Sequence, residues 1–350
     1  MAIKTIGQLG FADDLVGKRL GSNAMLERID RLIDWASIEA LLDGLHSSRH
    51  GRPAFPPLAL FKGLLLQQWY GLSETGLEEV LEDRLSFRRF CGLTLEDGSP
   101  DQVTINRFRH LLVGKNLMQP LFDEIVRQID VQGLILRQGT LIDASLIAAA
   151  VRRPKPPKDE VIAESEIAGK SEEKAASDEV AKPRPASKLV SNPLDPDAAW
   201  AKKGGKRSFG YKAHIGADKG SAIIRRALLT PANVNDTVPA DDLYCGDEKA
   251  VYADQAYSTR ARTARLKAAG IKDRTMSRAN KHHPLTPRQK LRNEAIGKRR
   301  GPVEQVFARL KGFYRWTRVR YRGLAVNAAH LLLMCSAMNL RRMAVLTPSA

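Results

Sequence analysis

The spacing of apolar and polar residues divides the chain into a helical first part and a second part that mixes strands with helices. Over residues 1–135, apolar positions recur at helical spacing, as in LERIDRLIDWASIEALLDGL. From about residue 137, short β-branched and apolar runs replace this pattern, and GTLIDASLIAAAV is the first of them. Three such runs, followed by helix, strand, helix, strand and helix, indicate a mixed α/β sheet with helices packed against it.

The second part contains a definite order of predicted elements. After the first strand, the predicted strands are FGYKAHIGAD, SAIIRRALLTPA, KAVYADQAYS and GIKDRTMS, and the predicted helices are DTVPADDLYCGD, STRARTARLKAAG and GPVEQVFARLKGFYRW. We expect the first and fourth strands to lie side by side. The last helix, which we expect to begin at Pro302, would then pack across their ends.

Composition changes sharply between the first two predicted strands. Residues 152–206 are rich in Pro, Lys, Glu, Ala and Ser and contain hardly an aromatic residue before Trp200, so this segment cannot bury enough surface to fold alone. We predict that it is a flexible excursion from a sheet domain over residues 136–325. A helical domain over 1–135 precedes that domain, and a C-terminal helix over 326–350 follows it and packs on the core.

The ends of the chain carry no sign of a membrane segment. The C-terminal run LAVNAAHLLLMCSAMNLRR is interrupted too often, by Asn327, Ala328 and His330, to span a bilayer. The first residues lack the apolar stretch of a signal peptide, so we predict a cytoplasmic protein. The three cysteines lie far apart without a Cys-X-X-Cys pair, which argues against a zinc knuckle and against a disulfide framework.

One predicted helix of the first part carries basic residues. Ser99-Pro100-Asp101 interrupts the helical pattern, and the amphipathic run VTINRFRHLL that follows contains Arg107 and Arg109. The helices around this break fit a helix-turn-helix that turns basic side chains toward DNA. They fit a plain helical bundle equally well, and periodicity alone does not separate the two.

The positive charge of the chain is concentrated in one segment. The full sequence has 56 Lys and Arg against 39 Asp and Glu, a formal net charge of +17. Residues 260–322 hold 20 basic and 3 acidic residues, whereas the rest of the chain holds 36 of each and is neutral. This concentration favours a polyanion as partner. A solvated charge run is the alternative, but aromatic residues are interleaved through the same segment: Phe307, Phe313, Tyr314, Trp316 and Tyr321.

Three acidic residues occupy notable positions in the second part. Asp143 stands among apolar residues of the first strand, Asp254 ends the fourth strand, and Glu304 lies in the last helix. Each has an ordinary explanation, namely a turn cap, an ion pair with Arg260 and an interaction with the helix dipole, respectively. With the strand order given above, the three carboxylates converge, and their mutual repulsion then requires cations.

A site made of carboxylates and water suits hard divalent ions, so we expect Mg²⁺ or Mn²⁺ as cofactor. Two such ions, roughly 3.5–4 Å apart, activate an attacking oxygen and stabilise the leaving oxygen on a phosphodiester. The basic segment around Glu304 favours this hypothesis over three unrelated carboxylates.

Longer motifs cover nearly the whole chain. They are SPDQVTINRFRHLL, GTLIDASLI, DPDAAWAKKGGKRSFGYKAHIGAD, LLTPANVNDTVPADDL, VYADQAYS and RRGPVEQVFARLKGFYRW. Together they resemble insertion-sequence transposases of the IS5 group, within the IS4-type DDE superfamily. The resemblance implies an RNase H-like catalytic core in which Asp143, Asp254 and Glu304 form the DDE triad. It also implies double-stranded DNA as partner, both terminal inverted repeats and target, bound by a homodimer or higher oligomer without a covalent protein–DNA intermediate.

The last of these motifs resembles a Tyr-Arg-Glu-Lys signature of the superfamily. Arg300, Glu304 and Lys311 keep its spacing, and Gly297 stands where the family has the Tyr. The three residues fall near whole turns of one helix, so we expect Arg300 and Lys311 to position the DNA backbone beside Glu304. Further candidate DNA contacts are Arg315, Trp316, Arg107, Arg109 and His214. Core packing is an alternative role for the tryptophan, and a hydrogen-bonded buried position is an alternative for the histidine.

The resemblance implies a transposase that cuts DNA at the ends of an element and joins the 3′-OH ends to a target. Two other classes use the same features: a metal-dependent nuclease without strand transfer, and a DNA-binding repressor or architectural protein. The repressor tolerates loss of a carboxylate, so the presence of all three argues against it. In a bacterial cell, we expect the protein to associate with the nucleoid when it is bound to DNA.

Overall fold

The computed structural model describes residues 3–11, 13, 21–45, 53–154, 192–203, 205–279 and 284–348. The chain forms two compact units. One unit consists of the chain up to Ile135 together with the chain from Leu332 on, and the other of Leu136–Leu331. Most of the segment that we expect to be a flexible excursion, residues 155–191, lies outside the described residues.

The first unit is helical, as its apolar periodicity predicts. Its helices are α1 (Ala24–Leu32), α2 (Trp35–Leu42), α3 (Pro57–Tyr70), α4 (Glu74–Asp83), α5 (Leu85–Cys91), α6 (Gln102–Gly114) and α7 (Met118–Val131). Short polar side chains fix where several of them begin. Asn23, Asp34, Ser73 and Asp101 each accept a backbone N–H in the first turn of α1, α2, α4 and α6, respectively. Helix α3 is buried along almost its whole length and forms the centre of this unit.

The C-terminal helix α10 (Leu324–Leu346) belongs to the helical unit from Leu332 on. We expect a C-terminal helix over 326–350 that packs on the core, and these residues group with α1–α7. Their apolar side chains are buried there, and Trp69 Nε1 of α3 donates to the carbonyl of Ala337 at 2.8 Å. Within the described ranges, no helix combines the length and the apolar composition that crossing a lipid bilayer requires.

The second unit contains a mixed sheet. Its strands are β1 (Thr140–Ala148), β2 (Ala199–Lys203), β3 (Lys206–Asp218), β4 (Ile224–Pro231), β5 (Ala250–Ala253) and β6 (Lys272–Thr275). The central strand β1 lies between β3, to which it is antiparallel, and β5, to which it is parallel. Strand β3 also pairs with β2 and β4, and β6 lies parallel to β5 at the other end of the sheet. The predicted pairing of the first and fourth strands is therefore confirmed as β1 with β5.

Two elements of this unit differ from the prediction. Residues 199–203, which we assigned to the flexible excursion, form the edge strand β2 and bury Trp200 against Phe209 of β3. The segment DTVPADDLYCGD forms only a short 3₁₀ helix, Pro239–Leu243, and not an α-helix. The side chain of Arg262 bonds to the Thr237 carbonyl before this turn and to the Asp241 carboxylate within it.

The last helix of this unit, α9 (Pro287–Gly312), is longer than its sequence pattern indicates. We expected it to begin at Pro302, but it begins fifteen residues earlier with a capping box between Thr286 and Gln289 and runs through Pro302. Its buried side chains form one stripe: Ile296, Arg300, Val303, Val306, Phe307 and Leu310. The helix packs against β1 and β5, so the prediction that it crosses these two strands is confirmed. Glu304 lies well inside the helix and not in its first turn.

Candidate active site

Asp143 is a carboxylate in the middle of the central strand. Thr140, Leu141 and Ile142 before it are buried almost completely, because β1 is covered on both faces. Asp143 pairs with Ile215 of β3, and its side chain is 25 % exposed. A carboxylate in such a strand needs a compensating positive charge.

Asp254 follows the end of β5 directly. It caps the 3₁₀ helix Gln255–Tyr257, and its Oδ1 accepts the backbone N–H of Gln255 at 2.6 Å. Strands β1 and β5 are parallel, with Thr140 opposite Val251 and Leu141 opposite Tyr252. Continuing this register by two residues brings Asp254 beside Asp143, so the strand pairing places two acidic residues at neighbouring positions.

Arg300 of α9 supplies the compensating charge. Its Nη2 lies 3.3 Å from Asp143 Oδ1, and its Nη1 lies 4.0 Å from Asp254 Oδ1. The side chain of Arg300 is only 8 % exposed, whereas that of Asp254 is 45 % exposed. One buried cation therefore bridges the two carboxylates, and the second of them remains open to solvent.

The third predicted carboxylate is not brought to the same point. Glu304 lies one turn beyond Arg300 on α9, and its side chain is exposed. Among the described residues, the only three potential metal ligands whose atoms lie within 4.8 Å of one another are Cys245, Asp247 and Glu248. Asp143, Asp254 and Glu304 are therefore not all within that range of one another, whereas Asp143 and Asp254 both lie within 4.0 Å of Arg300.

The group around Cys245 is explained by ion pairs. Arg225 lies 2.8 Å from Asp247 and 3.3 Å from Glu248. Glu248 Oε1 also accepts the Thr140 hydroxyl at 2.8 Å. Arginine and hydroxyl donors already occupy these carboxylates, so this group connects β4 and β1 to the loop before β5.

Tyr257 is a residue near the site that sequence reasoning passed over. It is 1 % exposed, and its hydroxyl has no hydrogen-bond partner among the described residues. Burial raises the pKa of Tyr257 far above its usual value, and the negative charges of Asp236, Asp143 and Asp254 raise it further. The phenol is therefore a protonated donor in the field of these carboxylates. Its place in VYADQAYS, three residues after Asp254, is the signal that could have pointed to it.

Two family models match the chain. The model described as Transposase DDE domain matches residues 137–340, which is more than half of the sequence and includes the whole sheet. The chain belongs to the DDE transposase family. The model described as Transposase domain (DUF772) matches residues 15–111, in the helical unit. No solved structure matches the chain.

Membership in this family settles the coarse identity of the protein. It is an insertion-sequence transposase, an enzyme that binds and processes DNA and uses divalent metal, and its sheet is an RNase H-like core. Carboxylate oxygens are the ligands that hard divalent cations prefer. Asp143 and Asp254 fit such a cation, because a positive group already lies within 4.0 Å of both.

Besides Arg300, which is buried beside the two aspartates, three of the predicted DNA contacts of this transposase are buried, and the predictions for these three are corrected. Arg109 is 5 % exposed, and it forms an ion pair with Glu74 at 2.7 Å and a hydrogen bond to Gln67 at 3.0 Å. It holds α6 to α3 and α4, so at this position the structure supports the helical bundle. Trp316 is 1 % exposed and packs edge-on against His330, so it is a core residue and cannot stack on a base.

His214 is the third buried candidate. It pairs with Ala144, the neighbour of Asp143, so its side chain projects from the opposite face of the sheet. His214 is fully buried, and its Nε2 lies 2.9 Å from the Thr230 hydroxyl. Burial lowers its pKa to about 4, so the imidazole is neutral at physiological pH. A neutral, buried side chain on the far face does not contact DNA.

The other predicted contacts of the transposase lie at the surface or near it. Arg107 and Arg315 are exposed, and Lys311 is half-buried. Of the 20 basic residues in segment 260–322, 14 are exposed within the described ranges. Of the five aromatic residues interleaved through the segment, Phe307, Tyr314 and Trp316 are buried, which agrees with a folded segment and not with a solvated charge run. Basic charge, and not aromatic surface, therefore characterises this region.

A cavity of about 350 Å³ opens beside Asp254. One wall is Asp254 with Gln255 and Ala256, and another is the loop of residues 232–236 that follows β4. The cavity is also lined by Lys202, Lys212, Trp200 and Arg278. This loop belongs to the motif LLTPANVNDTVPADDL, which the sequence pointed to without assigning a role to any of its residues.

Proposed function

We propose that this transposase cleaves DNA at the ends of an insertion element and joins the freed 3′-OH ends to target DNA. Asp143, Asp254 and Glu304 are its catalytic carboxylates in this proposal. The observation that carries it is the convergence of Asp143 and Asp254 on Arg300, since two carboxylates far apart in the sequence meet at one buried cation. Membership in the DDE transposase family supports the same reaction class.

The same carboxylates would hold the metal, which we propose to be two Mg²⁺ or Mn²⁺ ions. When bound, such ions activate the attacking oxygen and stabilise the leaving oxygen of an in-line displacement on phosphorus. Asp143 and Asp254 offer carboxylate oxygens side by side, and Asp254 is open enough to solvent for a ligand to reach it. Glu304 completes the ligand set in this proposal, because it lies one turn from Arg300 on α9 and its side chain is exposed to solvent.

Arg300 and Lys311 prepare the site for a polyanion. In the chain without DNA, Arg300 neutralises part of the repulsion between Asp143 and Asp254. With cations held by these carboxylates, its guanidinium would be available to a phosphate, for which its planar donors are suited. Lys311 lies further along the same helix, and the exposed Arg315 follows the helix end, so both would neutralise the DNA backbone.

The helical unit is our candidate for reading the terminal inverted repeats or for forming the dimer. Arg107 is exposed on α6, within the part that the second family model covers. Two DNA ends have to be held together for joining, so we propose at least a homodimer in the DNA complex. Assignment to the IS5 group stays a prediction from the motifs.

Incubation of the full chain with Mg²⁺ and a labelled DNA that carries its own element's ends tests this function. Joined products support transposition, nicks without joining indicate a nuclease, and retention without cutting indicates a DNA-binding protein. Asp143→Asn and Asp254→Asn are expected to abolish cutting while DNA retention persists, because each removes a metal-binding charge. Asp242→Asn, at an exposed aspartate of the same unit, is the matched control and is expected to cut normally. Continued cutting by either active-site variant would contradict the assignment.

A further inference from the structure

Strands β2 and β3 extend beyond the rest of the sheet as a two-stranded ribbon. Strand β1 pairs with β3 from Gly210 on, and β4 pairs with later residues of β3. Residues 206–208 of β3 therefore have β2 as their only paired strand in the part of the chain that the structure describes. Lys203 lies opposite Lys206 at the tip, and Gly205 of the turn has a φ of +79°, as a tight hairpin requires.

The ribbon points in the same direction as the carboxyl-terminal ends of β1 and β5. Asp143 of β1 lies opposite Ile215 of β3, and later residues of β1 pair with earlier residues of β3, so β1 runs toward the ribbon. Strand β5 is parallel to β1, and Asp254 follows its end. The tip at Lys206 lies about 30 Å along β3 from the level of Asp143, at about 3.3 Å per residue. The ribbon thus projects from the end of the sheet at which the two aspartates lie.

The ribbon carries positive charge and no negative charge. The sequence contains no acidic residue between Asp197 and Asp218. Four basic residues flank the turn: Lys202, Lys203, Lys206 and Arg207. The side chains of Lys202 and Lys206 are exposed, and a Cβ added at Gly205 would meet no other described atom within 4 Å. An exposed tip with only basic side chains favours a polyanion as partner.

Apolar side chains hold the base of the ribbon on the sheet. Trp200 of β2 and Phe209 of β3 are 8 % and 2 % exposed, and their ring centroids lie 5.5 Å apart. Lys202, two residues after Trp200, lines the cavity beside Asp254. The ribbon is therefore fixed at its base, next to the candidate site, and open to solvent at its tip.

These dimensions fit duplex DNA. The major groove is about 12 Å wide and admits a two-stranded ribbon. One turn of the duplex is about 34 Å long, so the tip of the ribbon lies about one turn from the level of Asp143. Lysine binds phosphate as a point charge, and a contact with phosphate carries no sequence information.

We propose that the β2–β3 ribbon, residues 199–203 and 205–210, is a DNA-binding element that contacts the duplex about one helical turn from the bond to be cut. The position relative to that bond rests on the proposed catalytic role of Asp143 and Asp254, whereas the contact with duplex DNA does not. The ribbon lies in the major groove, and Lys202 and Lys206 neutralise phosphates at its borders. The contact is therefore independent of DNA sequence.

Fluorescence anisotropy of the full chain with a labelled duplex of about 30 base pairs and unrelated sequence, in EDTA at several salt concentrations, tests the contact. Lys202→Gln/Lys206→Gln is expected to reduce the slope of log affinity against log salt by about 2, because two phosphate contacts are lost. Lys202→Arg/Lys206→Arg keeps the charge and should keep the slope. Lys249→Gln/Lys272→Gln removes two exposed lysines at the starts of β5 and β6, at the opposite end of the sheet, and should also keep it.

An unchanged slope for Lys202→Gln/Lys206→Gln, or an equal decrease for the control, would overturn the contact and leave these lysines as protection of an edge strand. Hydroxyl-radical footprinting on DNA with the element's own ends tests the position. The glutamine variant should lose protection about one turn from the cut site and keep it elsewhere, and protection that persists there would overturn the position. The anisotropy experiment involves no cutting, so cutting by Asp143→Asn, which refutes the catalytic assignment, leaves the contact of the ribbon with DNA intact.

Discussion

Arg300 is a buried cation between two carboxylates, and this position determines how the site behaves without metal. Its guanidinium lies 3.3 Å from Asp143 and 4.0 Å from Asp254. A divalent cation at the same carboxylates would compete with it for their charge. Arg300, which we expect to position the DNA backbone, therefore also compensates the charge of the two aspartates.

Arg300→Gln is expected to lower the free energy of unfolding in EDTA by about 2 kcal/mol, because it leaves two neighbouring carboxylates without a cation. Added Mn²⁺ should then raise the melting temperature of the variant more than that of the wild type. Arg299→Gln, at the exposed neighbouring position, is the control and should respond to Mn²⁺ like the wild type. An equal metal response in all three proteins would contradict competition between Arg300 and metal.

His214 is expected to make stability depend on pH. Burial lowers its pKa from 6.5 to about 4, the charge of Asp236 opposes this shift, and that of Lys212 adds to it. Below pH 6.5 the unfolded chain binds a proton at His214, whereas the folded chain binds it only near pH 4. The free energy of unfolding therefore decreases as the pH falls from 6.5 to about 4.

His214→Gln should remove up to about 3 kcal/mol of that loss, because glutamine can still bond to Thr230 but does not titrate. Urea unfolding at several pH values measures the effect. His110→Gln, at an exposed histidine of α6, is the control for the substitution itself. Parallel curves for the wild type and His214→Gln would contradict the lowered pKa of His214, because they would mean that folded and unfolded chains bind its proton equally.

Among the elements, the loops beside Asp254 depend on one arginine of α8 (Arg260–Ala268). Arg262 is 3 % exposed. Its guanidinium donates to Asp241 Oδ1 at 2.8 Å, to the Thr237 carbonyl at 2.7 Å and to the carbonyl of Tyr257. It thus joins the loop that carries Asn235 to the 3₁₀ helix that Asp254 caps. The side chain of Arg262 therefore bonds to residues next to both walls of the cavity beside Asp254.

Arg262→Lys is expected to lower the free energy of unfolding by about 3 kcal/mol, because an ammonium group cannot reach three separated acceptors and leaves some of them unpaired. Arg265→Lys is the control, since Arg265 also bonds to Asp241 but is mostly exposed. We expect it to change stability by less than about 0.5 kcal/mol. Denaturant unfolding compares the two, and a similar small effect of both would show that the three bonds of Arg262 are not needed.

Helix α9 shows how an element can be missed although its signal is present. Pro302 is typical of a helix start, and we expected the helix to begin there. Thr286-Pro287-Arg288-Gln289 contains the complete signature of a capping box with proline at the first helical position. The helix tolerates Pro302 in its interior because the buried stripe on both sides packs against β1 and β5.

For the whole molecule, the basic segment 260–322 predicts a strong dependence of DNA binding on salt. Exposed arginines and lysines that neutralise phosphates release counterions, so the logarithm of affinity falls linearly with the logarithm of salt concentration. Arg315→Gln should reduce the slope by about 1, if it removes one phosphate contact. Arg127→Gln should leave the slope unchanged, because Arg127 is bound to both oxygens of Glu124. Fluorescence anisotropy with a duplex at several salt concentrations measures both.

Much of the fold followed from local pattern, but several site residues did not. Helical periodicity identified the first unit, and the apolar runs identified β1, β3, β4, β5 and β6. The same patterns could not distinguish a basic residue at the surface from one inside, so Arg109 was assigned to DNA although it pairs with Glu74. Side-chain burial depends on which helix faces which, and that information is not local.

The sequence by itself determined the family, the position of the basic segment and the two aspartates at strand positions, because motifs, charge and apolar runs are properties of neighbouring residues. Only the tertiary structure decided that Arg300 joins Asp143 to Asp254, that Glu304 stays outside this contact, and that His214 faces away. These outcomes depend on strand register and on the packing of α9 across the sheet. A shift of one residue in the strand register or in the position of α9 would place each of these side chains in different surroundings.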